Sequence, residues 1–291
     1  MNEIEFSSYR DKEMLLECLA KIKHVALDMD GTIYKGNTVF PFTASFLDCL
    51  KKCGVKYSFL TNNPSKSTAD YLQHLKKMGL QASAAELYTS AQATINWLKT
   101  SLPSAKCLFI LGTPSMIEEF EKAGFISVPD SAEVAIDAVV VGFDLTLTYR
   151  RLCRAAWWIK NGKPYLATNP DWVCPTDQPT VLIDCGSICA ALEKATGRNP
   201  DITFGKPKPE MLNGIINAYG LKPDEIAMVG DRIYTDIAMA KNAGAFGVLV
   251  LSGEATLNDA QNANPKPDIT LQSIEQLGML LAEAKHHNHK S

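Results

Sequence analysis

No apolar run in the 291-residue chain approaches the ~20 residues a helix needs to cross a bilayer, and nothing between Met1 and Lys23 has the uninterrupted apolar core of a secretory leader. The expectation is a protein that stays in the cytoplasm. Charge of one sign is lacking too: 29 Lys and Arg stand against 32 Asp and Glu, a net charge of -3. That leaves no basic footprint for nucleic acid and no polybasic patch for a membrane surface, so any affinity for an anion must be local. Eight cysteines occur without one C-x2-C pair. They are scattered, as reduced thiols acting as small hydrophobes would be. The i, i+4 pairs Cys49/Cys53 and Cys185/Cys189, even with Cys174 nearby, make a poor zinc site. Internal repeats and low-complexity tracts are also missing, which excludes a solenoid. The terminal histidines from His286 to His289 read as a solvated, frayed tail.

What is present is the apolar fraction of an ordinary globular protein, 46%, laid out in an α/β rhythm. Lys12–Lys21 is a short amphipathic helix leading into a first strand at His24. Phe42 to Cys53 reads as a helix with Phe46, Leu47 and Leu50 on one face, stopped by Gly54; Val55 to Leu60 is a strand, and Ser67 to Met78 a helix closed by Gly79. Strand, helix, strand, helix predicts a parallel, doubly wound sheet that binds ligands at the carboxyl ends of its strands. A second α/β rhythm starts near residue 82, with strands over Cys107–Leu111, Ala138–Val141 and Tyr165–Ala167. The first resumes at Ile202, with strands over Glu225–Val229 and Phe246–Val250 and a helix over Asp236–Asn242. The expected organisation is a core of residues 1–81 and 202–291 interrupted by an inserted α/β domain of residues 82–201.

Four strand-end segments carry chemistry. In His24-Val-Ala-Leu-Asp-Met-Asp-Gly-Thr-Ile-Tyr-Lys-Gly36 an apolar run stops at two carboxylates, Asp28 and Asp30, and then meets Gly31. Carboxylates held close repel one another, and a chain keeps them so when a cation neutralises them or when one must be protonated for chemistry. Alone, the segment reads equally well as a turn rich in Asx residues. After the next strand comes Thr61-Asn62-Asn63, whose hydroxyl and amides precede a helix and suit phosphate oxygens. Phe204-Gly-Lys-Pro-Lys-Pro-Glu210 fixes Lys206 between glycine and proline, where it could act as a point charge on a phosphate or stand as a surface cation beside Lys208. Ile226-Ala-Met-Val-Gly-Asp-Arg-Ile-Tyr-Thr-Asp236 ends a strand at Asp231 with a second acid five residues on. Those acids could be hard ligands for magnesium or mere helix caps. Leu251-Ser-Gly-Glu254 is a further strand-end loop near this site.

In this order the four segments resemble the haloacid dehalogenase superfamily, and Thr61-Asn-Asn, Gly205-Lys-Pro and Val229-Gly-Asp-Arg with Thr235-Asp236 resemble its p-nitrophenylphosphatase, phosphoglycolate phosphatase and NagD-like branch, from about His24 to Gly253. The resemblance implies a Rossmann-like core with an inserted α/β cap that selects the substrate and supplies a homodimer surface. It implies a phosphatase in which Asp28 attacks phosphorus and Asp30 is the general acid and base. Thr61, Asn62, Asn63 and Lys206 would hold phosphoryl oxygens, and Asp28, the main-chain carbonyl of Asp30, Asp231 and Asp236 would hold or orient Mg2+. The cap wording Asp137-Ala-Val-Val-Val-Gly-Phe-Asp144 and Ala167-Thr-Asn-Pro-Asp171 offers Asn169, Asp171 and Asp184 as substrate contacts. The loop Asp184-Cys185-Gly186-Ser187 departs from the glycine-alanine-glycine-serine usual there. The partner expected is a small phosphorylated metabolite. Competing readings are a phosphotransferase or phosphomutase of the same superfamily, and a binding protein that keeps the fold without catalysis. Intact acids disfavour the latter, and Asp30 argues against a dehalogenase, which lacks the second acid.

Overall fold

A computed structural model describes residues 12–174 and 178–288 of the chain. Helix α1 (Lys12–Lys21) precedes β1 (His24–Asp28), the short strands β2 (Tyr34–Lys35) and β3 (Thr38–Val39), α2 (Thr43–Lys52), β4 (Lys56–Thr61) and α3 (Thr68–Lys77). There follow β5 (Leu87–Thr89), α4 (Ser90–Ser101), β6 (Cys107–Leu111), α5 (Pro114–Lys122), β7 (Ile126–Ser127), β8 (Ala138–Val141), α6 (Tyr149–Lys160) and β9 (Tyr165–Ala167). Next come β10 (Val173–Cys174), β11 (Leu182–Ile183), α7 (Cys185–Thr196), β12 (Ile202–Thr203) and α8 (Glu210–Tyr219). The last elements are β13 (Ile226–Gly230), α9 (Ala238–Ala243), β14 (Phe246–Val250), α10 (Leu257–Gln261), β15 (Ile269–Leu271) and α11 (Ile274–Asn288).

The chain forms two compact units, one containing the residues up to Leu60, His74–Leu87 and those from Lys206 onward, the other Thr61–Gln73 and Tyr88–Gly205. The second unit therefore takes in 61–73 and 202–205 besides most of 82–201. In the six-stranded sheet the order is β15-β14-β13-β1-β4-β5, with every pair from β15 to β4 parallel. Its central strands are continuous apolar runs, and the residues of β13 and β14 are all buried, as expected of a sheet covered on both faces. From β1 the chain winds first to β4 and later to β13 on the opposite side, so the crevice at the carboxyl end of β1 is a topological switch point.

The second unit carries its own parallel sheet, β12-β9-β8-β6-β7, closed over a core that includes Phe109, Val139, Trp158, Tyr165 and Ile188. Doubly wound, parallel α/β architecture is thus what the sequence predicts. Three local expectations change. The segment Asp184–Ser187 is not a loop but the start of α7, with Asp184 as N-cap. The helix expected from Asp236 begins earlier, as a π-helical turn over Ile233–Ile237 that runs into α9. The terminal histidines are less frayed than their polarity suggests: α11 continues to Asn288, while His289 lies outside the described residues.

Candidate active site

Strands β1 and β13 pair with Leu27 opposite Val229, so Asp28 and Asp231 leave neighbouring strands at the same edge. Asp236 approaches from the π-helical turn, and this requires Gly230, where a Cβ would lie 2.2 Å from the Asp236 Cγ. Gly31 is needed twice over. Its φ of +82° is in the left-handed region, and a Cβ there would lie 2.2 Å from Asp231 Oδ2. One oxygen each from Asp28, Asp231 and Asp236 lie within 4.8 Å of one another. Lys206, only 6% exposed, inserts its ammonium between two of them, donating to Asp236 Oδ1 at 2.7 Å and to Asp28 Oδ1.

Three carboxylates gather around the Lys206 ammonium, and burial is the main influence on the protonation of Asp231 and Asp236. Burial, then the Asp28 carboxylate, pushes Asp231 up to about 6. Burial also raises Asp236, against the pull of Lys206. Burial alone would lower Lys206, but Asp236 and Asp28 outweigh it and hold the ammonium protonated. Asp236 is fully committed, with its Oδ2 accepting from Arg232 N at 3.1 Å. Asp231 is not. Its Oδ2 accepts from Glu254 N at 2.7 Å, while Oδ1 is buried without a hydrogen-bond partner among the described residues. An unpaired buried carboxylate oxygen is costly unless a cation meets it, and these all-oxygen donors fit a hard ion such as magnesium. The Asp30 side chain lies outside the group: it is exposed, and its Oδ1 accepts from Gly36 N at 3.1 Å across the turn.

The remaining expected residues gather in the second unit. Asn62 Nδ2 donates to both oxygens of Asp171, at 3.2 and 3.1 Å, and Ser90 Oγ donates to its main-chain oxygen at 2.6 Å. Asn169 Nδ2 bridges Asp184 Oδ1 at 3.0 Å and Asp171 Oδ2 at 3.3 Å. Asp184 also accepts from Cys185 N, which makes it the cap of α7. Asn63 Oδ1 accepts from Ser65 N at 2.9 Å, and Thr61 Oγ1 accepts from Asn63 N at 3.2 Å, so both side chains shape the turn after β4. Asn169 and Asp184 are buried, whereas Asp171 is half-buried. Sequence reasoning assigns no role to Glu254, whose N–H holds Asp231. A main-chain donor leaves no residue-type signal, and the mark it does leave is the glycine before it.

Two family models match the chain. One described as haloacid dehalogenase-like hydrolase matches residues 25–126, and one described as HAD-hydrolase-like matches residues 203–277. An acid sugar phosphatase of Staphylococcus aureus is 31% identical over 258 residues, covering 89% of this chain and 97% of that protein. The solved 4-nitrophenylphosphatase of Thermotoga maritima is 38% identical, with a TM-score of 0.83 over 90% of this chain and 98% of its own. A glycerol phosphate phosphatase of Mycobacterium tuberculosis, solved in complex with magnesium, is 30% identical with a TM-score of 0.81, covering 90% of this chain and 78% of that one.

Proposed function

The chain belongs to the haloacid dehalogenase-like hydrolases and is a phosphatase of that family, and we propose that it is a magnesium-dependent phosphomonoesterase acting on a small sugar-phosphate-like metabolite through an aspartyl phosphate on Asp28. The observation that carries the reading is the buried, unpartnered Asp231 Oδ1 beside Asp28 and Lys206. The relatives support it as an acid sugar phosphatase, a 4-nitrophenylphosphatase and a glycerol phosphate phosphatase, the last in complex with magnesium.

In this reading an Asp28 oxygen attacks phosphorus as the bond to the leaving oxygen breaks, and Asp30 gives that oxygen its proton. Asp30 then takes a proton from water, the water attacks the aspartyl phosphate, and phosphate leaves with Asp28 restored. Lys206 neutralises phosphoryl oxygens as charge spreads over them, and the family pattern adds Thr61, Asn62 and Asn63 to that task. Asp28, the main-chain carbonyl of Asp30 and Asp231 would hold magnesium, with Asp236 orienting them; when bound, the ion neutralises the attacked phosphoryl group. Residues 82–201 are assigned to a cap that chooses the leaving group through Asn169, Asp171 and Asp184 and pairs two copies of a cytoplasmic enzyme.

The test is hydrolysis of p-nitrophenyl phosphate with magnesium, with chelator and with excess calcium. Magnesium should be required and calcium should inhibit, because its larger, looser shell admits a second oxygen of Asp28 and spoils the attack. Full activity in chelator would overturn the reading. A phosphate-release screen across sugar phosphates, polyol phosphates, phosphoglycolate and pyridoxal phosphate then names the substrate class.

A further inference from the structure

The turn that follows β14 reaches the acid cluster through Gly31 and Asp231. Ser252 Oγ donates to Gly31 O at 2.7 Å, Glu254 N donates to Asp231 Oδ2 at 2.7 Å, and Ala255 N donates to Asp231 O at 3.1 Å. Between the two donors, Gly253 lies so close that a Cβ would sit 1.9 Å from Asp231 Oδ2 and 2.5 Å from its Cγ. Its φ lies outside the left-handed region, so glycine is demanded here by the neighbouring carboxylate and not by the backbone. From outside, the Glu254 side chain takes the phenol of Tyr234 at 3.0 Å and pairs with Arg232 at 2.9 Å.

We propose that Ser252–Ala255 is a positioning clasp for cation binding: it fixes the exit turn of β1 through Gly31 and uses up Asp231 Oδ2, so that Oδ1 alone is presented to the ion. The clasp rests on the magnesium reading above. A carboxylate with both oxygens free can rotate, and it can chelate in two-oxygen fashion. Held by one main-chain donor and walled by two glycines, Asp231 keeps a single orientation, which suits a small ion that demands near-ideal octahedral geometry. None of the clasp residues touches substrate in this account; they act through Asp231 and Gly31.

The experiment is calorimetric titration of metal-free protein with magnesium chloride, alongside thermal melting with and without the ion. Gly253→Ala should weaken magnesium binding by about ten-fold or more, Ser252→Ala by about three- to ten-fold, and Ser252→Thr, which keeps the hydroxyl, by less than about two-fold. Metal-free Ser252→Ala should melt close to the wild type while its magnesium-induced rise shrinks. A purely structural turn would instead lower the metal-free melting temperature and leave affinity unchanged. Wild-type affinity in both Ala variants would overturn the clasp while leaving the phosphatase reading intact. Failure of the wild type to bind magnesium at all would overturn both.

Discussion

Asp231 in the first unit and Asp184 in the second are each 2% exposed, and each is pushed up to about 6 by burial with a neighbouring carboxylate adding to it, Asp28 in one case and Asp171 in the other. Their surroundings finish them differently. Asp184 Oδ1 receives both Asn169 and Cys185 N, and Asp171 beside it receives Asn62 and Asn169. Asp231 keeps a buried oxygen that forms no hydrogen bond with any described residue. Amides complete the second cluster, so it holds its own loops in place. Under the magnesium reading the first is completed by an added cation, and unfinished polar groups of that kind cluster at functional sites.

The comparison breaks most sharply at Asp28. Asp28→Asn should lower kcat by about ten-thousand-fold on every ester alike if Asp28 is the nucleophile, because it replaces the attacking carboxylate by a non-nucleophilic amide. Steady-state phosphate release on several esters, with circular dichroism to confirm folding, checks this. Substantial turnover in the variant would move the nucleophile elsewhere.

Lys206→Met should come next in size. With its ammonium gone, Asp28, Asp231 and Asp236 face each other without compensation, at a cost of about 3–5 kcal/mol in metal-free protein. Magnesium should recover part of that. Asn169→Ala takes one donor from Asp184 and leaves Cys185 N in place, so about 1–2 kcal/mol is expected and magnesium should recover none of it. Urea unfolding with and without the ion separates the two. Equal losses in both variants would mean the clusters are energetically equivalent.

How much of this was legible in the sequence follows the same division. Asp28, Lys206 and Asp231 come from segments far apart in the chain, yet each sits beside a strand end or a tight Gly-Pro turn, and an apolar run stopping at an acid is readable without coordinates; Asp236 follows Asp231 by five residues, in the π-helical turn. The strands Cys107–Leu111, Ala138–Val141, Tyr165–Ala167 and Phe246–Val250 read correctly because they are fully apolar runs bounded by turn residues. The start of α7 did not, since its cap is an Asp followed by cysteine and glycine, which look like a loop until Asp184 is seen to accept from Cys185 N. Two-residue strands such as β10 and β11 have no periodicity to detect. The partnering of Asn62 with Asp171, 109 residues away, is a matter of tertiary packing.

Titration sharpens the comparison at a smaller scale. Both acids hold their protons more tightly folded, at about 6, than unfolded, at about 4, so their contribution to metal-free stability is full below pH ~4 and lost as pH rises from about 4 to about 6. Each should cost up to about 2–3 kcal/mol above that window. Magnesium should reverse only the Asp231 part. Asp184→Asn, which can still cap α7, should remove only the other, so the variant gains on the wild type as pH rises through the window. His24, lowered to about 4 by burial and then Lys56, runs the opposite way but is common to both proteins and drops out of the difference. Urea midpoints at pH 4.5 and 7.5 decide it. A wild-type-minus-variant difference that is flat with pH would show that Asp184 does not titrate there.

The smallest effect is expected from Asp171→Ala, and it asks whether the second cluster selects substrates or only supports the loops. The substitution removes the carboxylate that holds the Asn62 amide, but the main-chain bonds around it persist: Gly186 N still donates to Asp171 O at 2.8 Å, Ser90 still holds Asn62 O, and Asn169 still reaches Asp184. The variant should therefore fold. If residues 82–201 choose the leaving group, specificity constants should change unequally among sugar, polyol and aromatic phosphates, by about 5- to 30-fold, or about 1–2 kcal/mol, while small acyl phosphates stay nearly untouched. The reason is that an acyl phosphate offers little beyond the reacting phosphoryl group for a cap to hold. A uniform loss across all esters and acyl phosphates would instead tie Asp171, through Asn62, to the phosphoryl group itself, and the separation of chemistry from selection between the two clusters would fail.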